Sequence, residues 1–175
     1  MEPIYTKRLK IRPFREHDNT KQMDWFFDAK VMGMTISGIE SSYDSLKKRI
    51  QRYIEHQNKY GFSKWLVIDR LNEKYIGDCG IYRISDDSLE INDIGFRLSA
   101  EYWGKGIGYE MVEGCINRYF EMAKGQSLYA HALVNNEKSF NLLKKFHFQE
   151  FKLVKLFGHD YMRFILKSSS LLSNN

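Results

Sequence analysis

Residues 98–110, Leu-Ser-Ala-Glu-Tyr-Trp-Gly-Lys-Gly-Ile-Gly-Tyr-Glu, constrain this chain more than any other stretch: an apolar strand-like run ends, glycines alternate with other residues, and a helical pattern begins. Ile107, Met111, Val112, Cys115, Ile116, Tyr119 and Phe120 recur at helical spacing on one face, with Glu110, Glu113, Asn117 and Glu121 on the other, which predicts an amphipathic helix. Glycines ahead of a helix let the main chain come close to a ligand. The unpaired first-turn amides, with the positive end of the helix dipole behind them, then suit a phosphate. A plain turn has the same spacing, so both readings stand at this point. Two phosphate motifs are excluded: Gly104-Lys105 is followed by Gly106 rather than the Ser/Thr of a Walker loop, and Gly104, Gly106 and Gly108 are not spaced as a dinucleotide fingerprint.

A chain of 175 residues with no Pro/Gly/Ser-rich linker reads as one domain. No apolar run approaches the ~18 residues of a membrane span, and Met1 to Arg8 lacks the apolar segment of a signal peptide, so a cytoplasmic location without membrane contact is expected. Cys79 and Cys115 fall in apolar patterns and read as reduced core residues. His17, His56, His131, His147 and His159 are scattered singly, without metal spacing; they read as surface or core histidines, and no metal is expected. From Lys138 to Lys167 seven Lys/Arg stand against Glu150 and Asp160, so the whole net charge of +5 lies in that stretch. It reads either as a solvated basic face or as a surface meeting a polyanionic cofactor. Aromatic and basic residues are not interleaved as a nucleic-acid stripe requires, and no nucleic-acid partner is expected.

In chain order, Arg8 to Arg12 alternates like a half-exposed strand ended by Pro13, and Asp18 is placed to cap a helix. A second helix is predicted from about Ser42 to Tyr60, begun by Ser41 or Ser42 and stopped by Gly61. Between them Met32 to Gly38 is irregular and apolar. Strands are predicted over Lys64 to Asp69, Tyr75 to Ile84 and Leu89 to Leu98, with polar turns at Asn72-Glu73 and Ser85-Asp86-Asp87-Ser88. The central helix frays near Gly125, followed by a strand over Leu128 to Val134 and a short helix over Asn136 to Lys145. A hairpin of Phe148 to Phe157 and Tyr161 to Lys167 turns at Gly158-His159-Asp160, and 168–175 reads as a frayed tail.

The run Tyr102-Trp103-Gly104-Lys105-Gly106-Ile107-Gly108 resembles the acyl-CoA pyrophosphate loop of the GCN5-related N-acetyltransferase (GNAT) superfamily, written Q/R-x-x-G-x-G/A. Gly106 and Gly108 match, while Trp103 replaces Gln or Arg, as in the branch of ribosomal-protein N-terminal acetyltransferases. Asn136-Glu137-Lys138-Ser139-Phe140-Asn141-Leu142-Leu143-Lys144-Lys145-Phe146-His147-Phe148 is similar to the family pattern Asn-x-x-Ser-x-x-x-Leu-x-Lys-x-Gly-Phe, with His147 for the glycine, and Arg8 to Asp18 resembles the opening of the same branch. The glycine usually adopts a positive φ, so His147 is expected to accept one. The resemblance implies a mixed α/β acyl-CoA N-acyltransferase fold over 1–167. Its order is β-α-α-β-β-β-α-β-α-β-β, with a mostly antiparallel sheet and a splayed parallel strand pair.

The resemblance also implies an activity, acetyl transfer from acetyl-CoA to a primary amine by direct attack through a tetrahedral intermediate. It places the cofactor against the main chain of Phe96, Arg97 and Leu98, the loop Trp103, Gly104, Lys105, Gly106, Ile107, Gly108 and Tyr109, and Asn136, Ser139 and Lys145. Asp93 in Asp93-Ile94-Gly95-Phe96 matches the family's Glu-Ile-Gly-Tyr and takes the place of the base or water-holding carboxylate. Glu90 lies on the opposite strand face, since the separation is odd. Many acetyltransferases protonate the thiolate with a Tyr where this chain has Leu143; Ser139 then lies near the sulfur or simply satisfies a helix amide, and Asn136 either bonds the cofactor or caps the helix. The Met32 to Gly38 region corresponds to the acceptor pocket, and Glu40, Asp44 and Glu55 offer an acidic entrance. The acceptor is a protein N-terminus, a polyamine or another small amine, and homodimerisation is left open. The alternative is a non-catalytic acyl-CoA-binding module, suggested by Leu143 and by Asp93 in place of Glu.

Overall fold

Trp65, Leu66, Val67 and Ile68 are all buried because their strand is covered on both faces. Trp65 and Val67 join one core, Leu66 and Ile68 another, as side chains alternate across a strand. The computed structural model, which describes residues 1–86, 89–123, 126–156 and 158–167, builds that strand into an eight-stranded sheet. In chain order the elements are β1 (Ile4–Tyr5), β2 (Leu9–Pro13), α1 (Ala29–Met32), α2 (Tyr43–Tyr60), β3 (Lys64–Asp69), β4 (Tyr75–Asp86), β5 (Leu89–Leu98), α3 (Ile107–Met122), β6 (Leu128–Leu133), α4 (Glu137–Lys145), β7 (Gln149–Leu156) and β8 (His159–Leu166). The sheet order is β1-β2-β3-β4-β5-β6-β8-β7. Neighbours are antiparallel except β5 and β6, which are parallel and paired at Asp93 with Tyr129. This is the expected mixed α/β arrangement, with α3 as the crossover of the parallel pair.

The helix ends follow local chemistry. Ser42 caps α2 through a reciprocal box with Ser45, and Gly61 ends it at φ 78°. α4 closes with the Phe148 amide bonded to Leu143 O and the His147 amide to Lys144 O, the two-bond pattern that needs a left-handed residue at its centre. His147 supplies it at φ 61°. Asp18 does not cap a helix: Asn19 caps a 3-10 turn over Thr20–Gln22, and Asp18 takes the buried Arg12 guanidinium instead. The last hairpin turns earlier than expected, since His159 and Asp160 already pair with Leu156 and Lys155. Ser85 and Asp86 extend β4. The rest of that expected turn, the fraying at Gly125 and the tail at 168–175 lie outside the described residues.

α3 and α4 cover one face of the sheet, where Met111, Val112, Cys115, Ile116 and Leu143 pack with Ile94, Ala130 and Phe164. α2 and the 3-10 turn Asp24–Phe26 cover the other, where Leu46, Ile50, Trp25 and Phe26 pack on Leu66 and Ile68. Cys79 and Cys115 are free thiols in the first core; burial, then Cys115, pushes the Cys79 thiol well up. Among the described residues no helix is long and apolar enough to cross a membrane.

Candidate active site

The parallel pair is closed at one end and open at the other. β5 and β6 pair at Asp93 with Tyr129, whereas β5 continues to Leu98 beside β4. The Ser99 amide bonds across to Ile76 O in β4 at 2.8 Å. Amides alternate sides along a strand, so the Arg97 main chain faces β4 and those of Phe96 and Leu98 face the opening. Leu98 O is already taken by the Trp103 indole N–H at 2.8 Å. The unclaimed edge is therefore the Phe96 N–H and C=O and the Leu98 N–H. Of the three expected residues, Arg97 presents no main chain there.

Beyond Leu98 a 3-10 turn over Ala100–Tyr102 leads into the glycine loop. Gly104 and Gly106 both have φ above 70°, a conformation glycine adopts without steric cost. Gly106 is the N-cap of α3 and offers no side chain to its first turn, so the amides of Ile107, Gly108 and Tyr109 point out uncapped, as an anion site requires. The loop is clamped from behind: the Arg8 guanidinium donates to Lys105 O at 2.8 Å and to Glu110 Oε2 at 2.6 Å. Burial pushes the Glu110 carboxyl up, but bonds from Thr6 and Arg8 outweigh it and hold it below the usual value. Trp103 braces the loop, with Lys138 Nζ 4.0 Å from its ring centre, joining the start of α4 to the loop.

α4 follows the carboxyl end of β6 as the loop follows that of β5, so both helix starts stand at the open end of the pair. Asn136 Oδ1 accepts the Ser139 amide at 3.1 Å, so that oxygen caps α4. Ser139 is half-buried in the first turn. Leu142 lies against Gly108, where an added Cβ would be 3.7 Å from Cδ2, and Phe146 stacks on Tyr109 at 4.5 Å. The exposed Lys145 lies between them in sequence. Leu143 is buried in the apolar core.

At the closed end Asp93 does not stand alone. Its Oδ1 bonds His131 Nδ1 at 2.8 Å, and Arg163 Nε donates to His131 Nε2 at 3.2 Å. A guanidinium can only donate, so Nε2 accepts and the ring proton lies on Nδ1, aimed at Asp93. The His131 side chain is fully buried while Asp93 keeps 13% exposure; the carboxylate is the reachable member and the histidine orients it. His131 sits singly in the sequence, and only the register of β6 against β5 brings it here. Glu90 is on the opposite strand face, exposed, 4.0 Å from Arg83.

On the face of Asp93, buried charges fix the segment after α1. Arg97 donates to Asp78 at 2.5 and 2.8 Å, to Tyr53 Oη at 2.8 Å and to Ser37 Oγ at 3.0 Å, and the Trp25 indole completes Asp78 at 3.0 Å. Burial works to lower the Arg97 pKa, but Asp78 and Tyr53 raise it above its ordinary value, so the ion persists. Glu40 is not at an entrance. It is buried, bonded by Arg49 and Ser45, and Arg49 also holds Ser37 O at 3.1 Å. Among the described residues no cluster of His, Cys, Asp and Glu is large enough to hold a metal.

The family model described as an acetyltransferase (GNAT) domain matches residues 8–149. An uncharacterized N-acetyltransferase p20 of Bacillus licheniformis is 25% identical over 159 residues, covering 89% of this chain and 86% of that one. The ribosomal-protein-S5-alanine acetyltransferase of Vibrio fischeri is similar in structure with a TM-score of 0.78 at 18% identity, over 95% of this chain and 96% of that one. A mutant spermidine N-acetyltransferase of Vibrio cholerae gives 0.72 at 18% identity, over 95% and 98% of the two chains.

Proposed function

The chain belongs to the acetyltransferase (GNAT) family, and from that premise we propose that this acetyl-CoA-dependent enzyme acts on a primary amine: a protein N-terminus, a polyamine or another small amine. One observation carries the reading: the uncapped glycine loop and the start of α4 stand together at the open end of a parallel pair closed at Asp93. The amides of Ile107, Gly108 and Tyr109 receive the pyrophosphate, with Lys105 and Lys145 adding charge around it. The pantetheine arm lies along the edge of Phe96 and Leu98. That puts the thioester towards Asp93, with the Phe96 N–H as oxyanion donor.

An acceptor amine is protonated in water, with a pKa of about 8 for an α-amino group and about 10 for a lysine-like one. Asp93, held by His131, takes that proton, through a water where its short side chain does not reach. The neutral amine attacks the thioester carbon, and the Ser139 hydroxyl supports the departing thiolate. The segment pinned at Ser37 by Arg97 and Arg49 forms the acceptor wall. Names of structural relatives, one acting on a ribosomal protein and one on spermidine, support amines of both kinds.

Thermal unfolding with and without acetyl-CoA, against acetate plus free nucleotide, tests the cofactor. At 100 times the dissociation constant the gain is about 2.7 kcal/mol, or roughly 5–10 °C. Thiol release is then followed with a free-N-terminal peptide and with spermidine, and Asp93→Asn should lower kcat by roughly 100-fold while retaining the acetyl-CoA shift. Absence of any shift with acetyl-CoA overturns the reading.

A further inference from the structure

Lys64 in β3, Gly80 in β4 and Gly95 in β5 are in register across three neighbouring strands. Together they make a trough on the face covered by α2. A Cβ on Gly80 would collide with the Ser63 carbonyl, and a Cβ on Gly95 would overlap Lys64 Nζ and lie 3.3 Å from its Cε. The lysine stem therefore lies flat across the sheet, its Nζ donating to Gly80 O at 2.9 Å. The row on one side of the trough is Asp78 with Arg97, and on the other Tyr82 with Asp93, each about 6.8 Å away along the strands.

The trough ends where the sheet opens. β5 and β6 pair at Asp93, and Gly95 lies two residues beyond, just before the Phe96 amide that faces the opening. The Lys64 amine thus rests beside the position where a thioester carbonyl would be held. The ionisable groups around it are Tyr53 and His56 from α2, Asp78 and Tyr82 from β4, and Asp93 and Arg97 from β5. Burial dominates and lowers the Lys64 pKa, against the opposing charge of Asp93 and with the help of Arg97. A larger share of this amine is neutral, and so nucleophilic, than of a surface lysine.

We propose that Lys64 is an internal acceptor, a modification site that takes the acetyl group of bound acetyl-CoA when no amine substrate is present. This inference rests on the acetyltransferase reading of the site. The neutral Nζ forms a bond to the thioester carbonyl carbon, and the C–S bond breaks. The proton lost from Nζ passes to the departing thiolate, directly or by way of Asp93, so that lysine and acetyl-CoA become acetyl-lysine and CoA thiol. The new amide lies in the trough beside Asp93, where an incoming amine has to enter, and closes the site to it.

The full chain is incubated with acetyl-CoA alone and followed by intact mass and peptide mapping, with melting curves run in parallel. One acetyl group on Lys64 is expected, at a rate independent of protein concentration and rising with pH as the amine loses its proton, over a range below that of surface lysines. Lys64→Arg should remain unmodified while keeping the acetyl-CoA melting shift. Gly95→Ala displaces only the flexible end of the lysine, and should slow the reaction roughly 100-fold. A melting shift with Lys64 unmodified overturns this inference and leaves the acetyltransferase reading standing; no shift and no modification overturns both. Acetylation spread over surface lysines at the same rate in Lys64→Arg also overturns it.

Discussion

The two faces of the sheet are built on different principles. Under α3 and α4 the core is apolar, from Ile11 to Phe164. Under α2 the apolar core is smaller, and beside it lie the ion pairs Arg12–Asp18, Arg49–Glu40, Arg97–Asp78 and the Asp93–His131 contact. Apolar packing is non-directional and suffices to hold long regular helices. The segment after α1 has little regular structure of its own, and bonds from Arg97 and Arg49 fix its main chain and Ser37. The face that must admit the acceptor amine is fixed by directional bonds as well as packing; the face under α3 and α4, whose helix starts meet the cofactor at the sheet's open end, is held by burial.

The largest expected effect tests this difference directly. Asp78→Ala leaves Arg97 buried without its counter-ion, and should cost about 3–5 kcal/mol in urea unfolding. A loss under about 1 kcal/mol would mean that the buried pair does not organise that face. On the other face, Ile116→Ala removes packing alone and should cost about 2–4 kcal/mol, with KM for the acceptor amine unchanged; a change in that KM would couple the two faces.

A third test uses pH. His56 donates from Nδ1 to Phe62 O at 2.7 Å and accepts the Arg83 amide on Nε2 at 3.0 Å, so a second ring proton would face an N–H. Burial lowers its pKa below the ordinary 6.5, the Phe62 carbonyl opposes this, and Lys64, Arg83 and Lys59 add to the lowering. The unfolded chain then binds the proton first. Stability from this residue is complete above about 6.5 and is lost as pH falls towards the folded value. Melting curves of wild type and His56→Gln should converge as pH falls below that point; parallel curves would remove His56 as the cause. The smallest effect belongs to the end of α4, where His147→Gly relieves a positive φ. It should raise stability by at most about 1 kcal/mol, roughly 2–4 °C, and a fall in melting temperature would show that the His147 ring contributes contacts worth more than the strain.

Much of the architecture was legible because it is local. The helix after Gly106, the start of α2 at Ser41 or Ser42 and the left-handed closure at His147 each depend on residues within one turn. Asp18 was misjudged because an aspartate near a turn carries the same signal whether it caps a helix or waits for a distant guanidinium, and Arg12 reaches it only after β2 is paired. Glu40 failed likewise: its partner Arg49 is nearly two helical turns inside α2, across a loop whose course the pattern does not specify. At the site, the sequence marked Asp93 as a carboxylate on a strand, but gave no reason to join it to a solitary histidine 38 positions later.

By itself the sequence determined the strand, glycine loop and helix of residues 98–110, the strand over Lys64 to Asp69, and the order of elements from β2 onward, since periodicity and turn chemistry act over a few residues; the two-residue strand Ile4–Tyr5 carries no such signal. The tertiary structure alone decided which strand amides face the opening, that His131 orients Asp93, that Arg97 turns its charge inward to Asp78, and that two glycines in register lay Lys64 at the mouth of the parallel pair. These are matters of strand register, and register is fixed only when the whole sheet closes, because sliding one strand by a single residue would send each of these side chains to the other face.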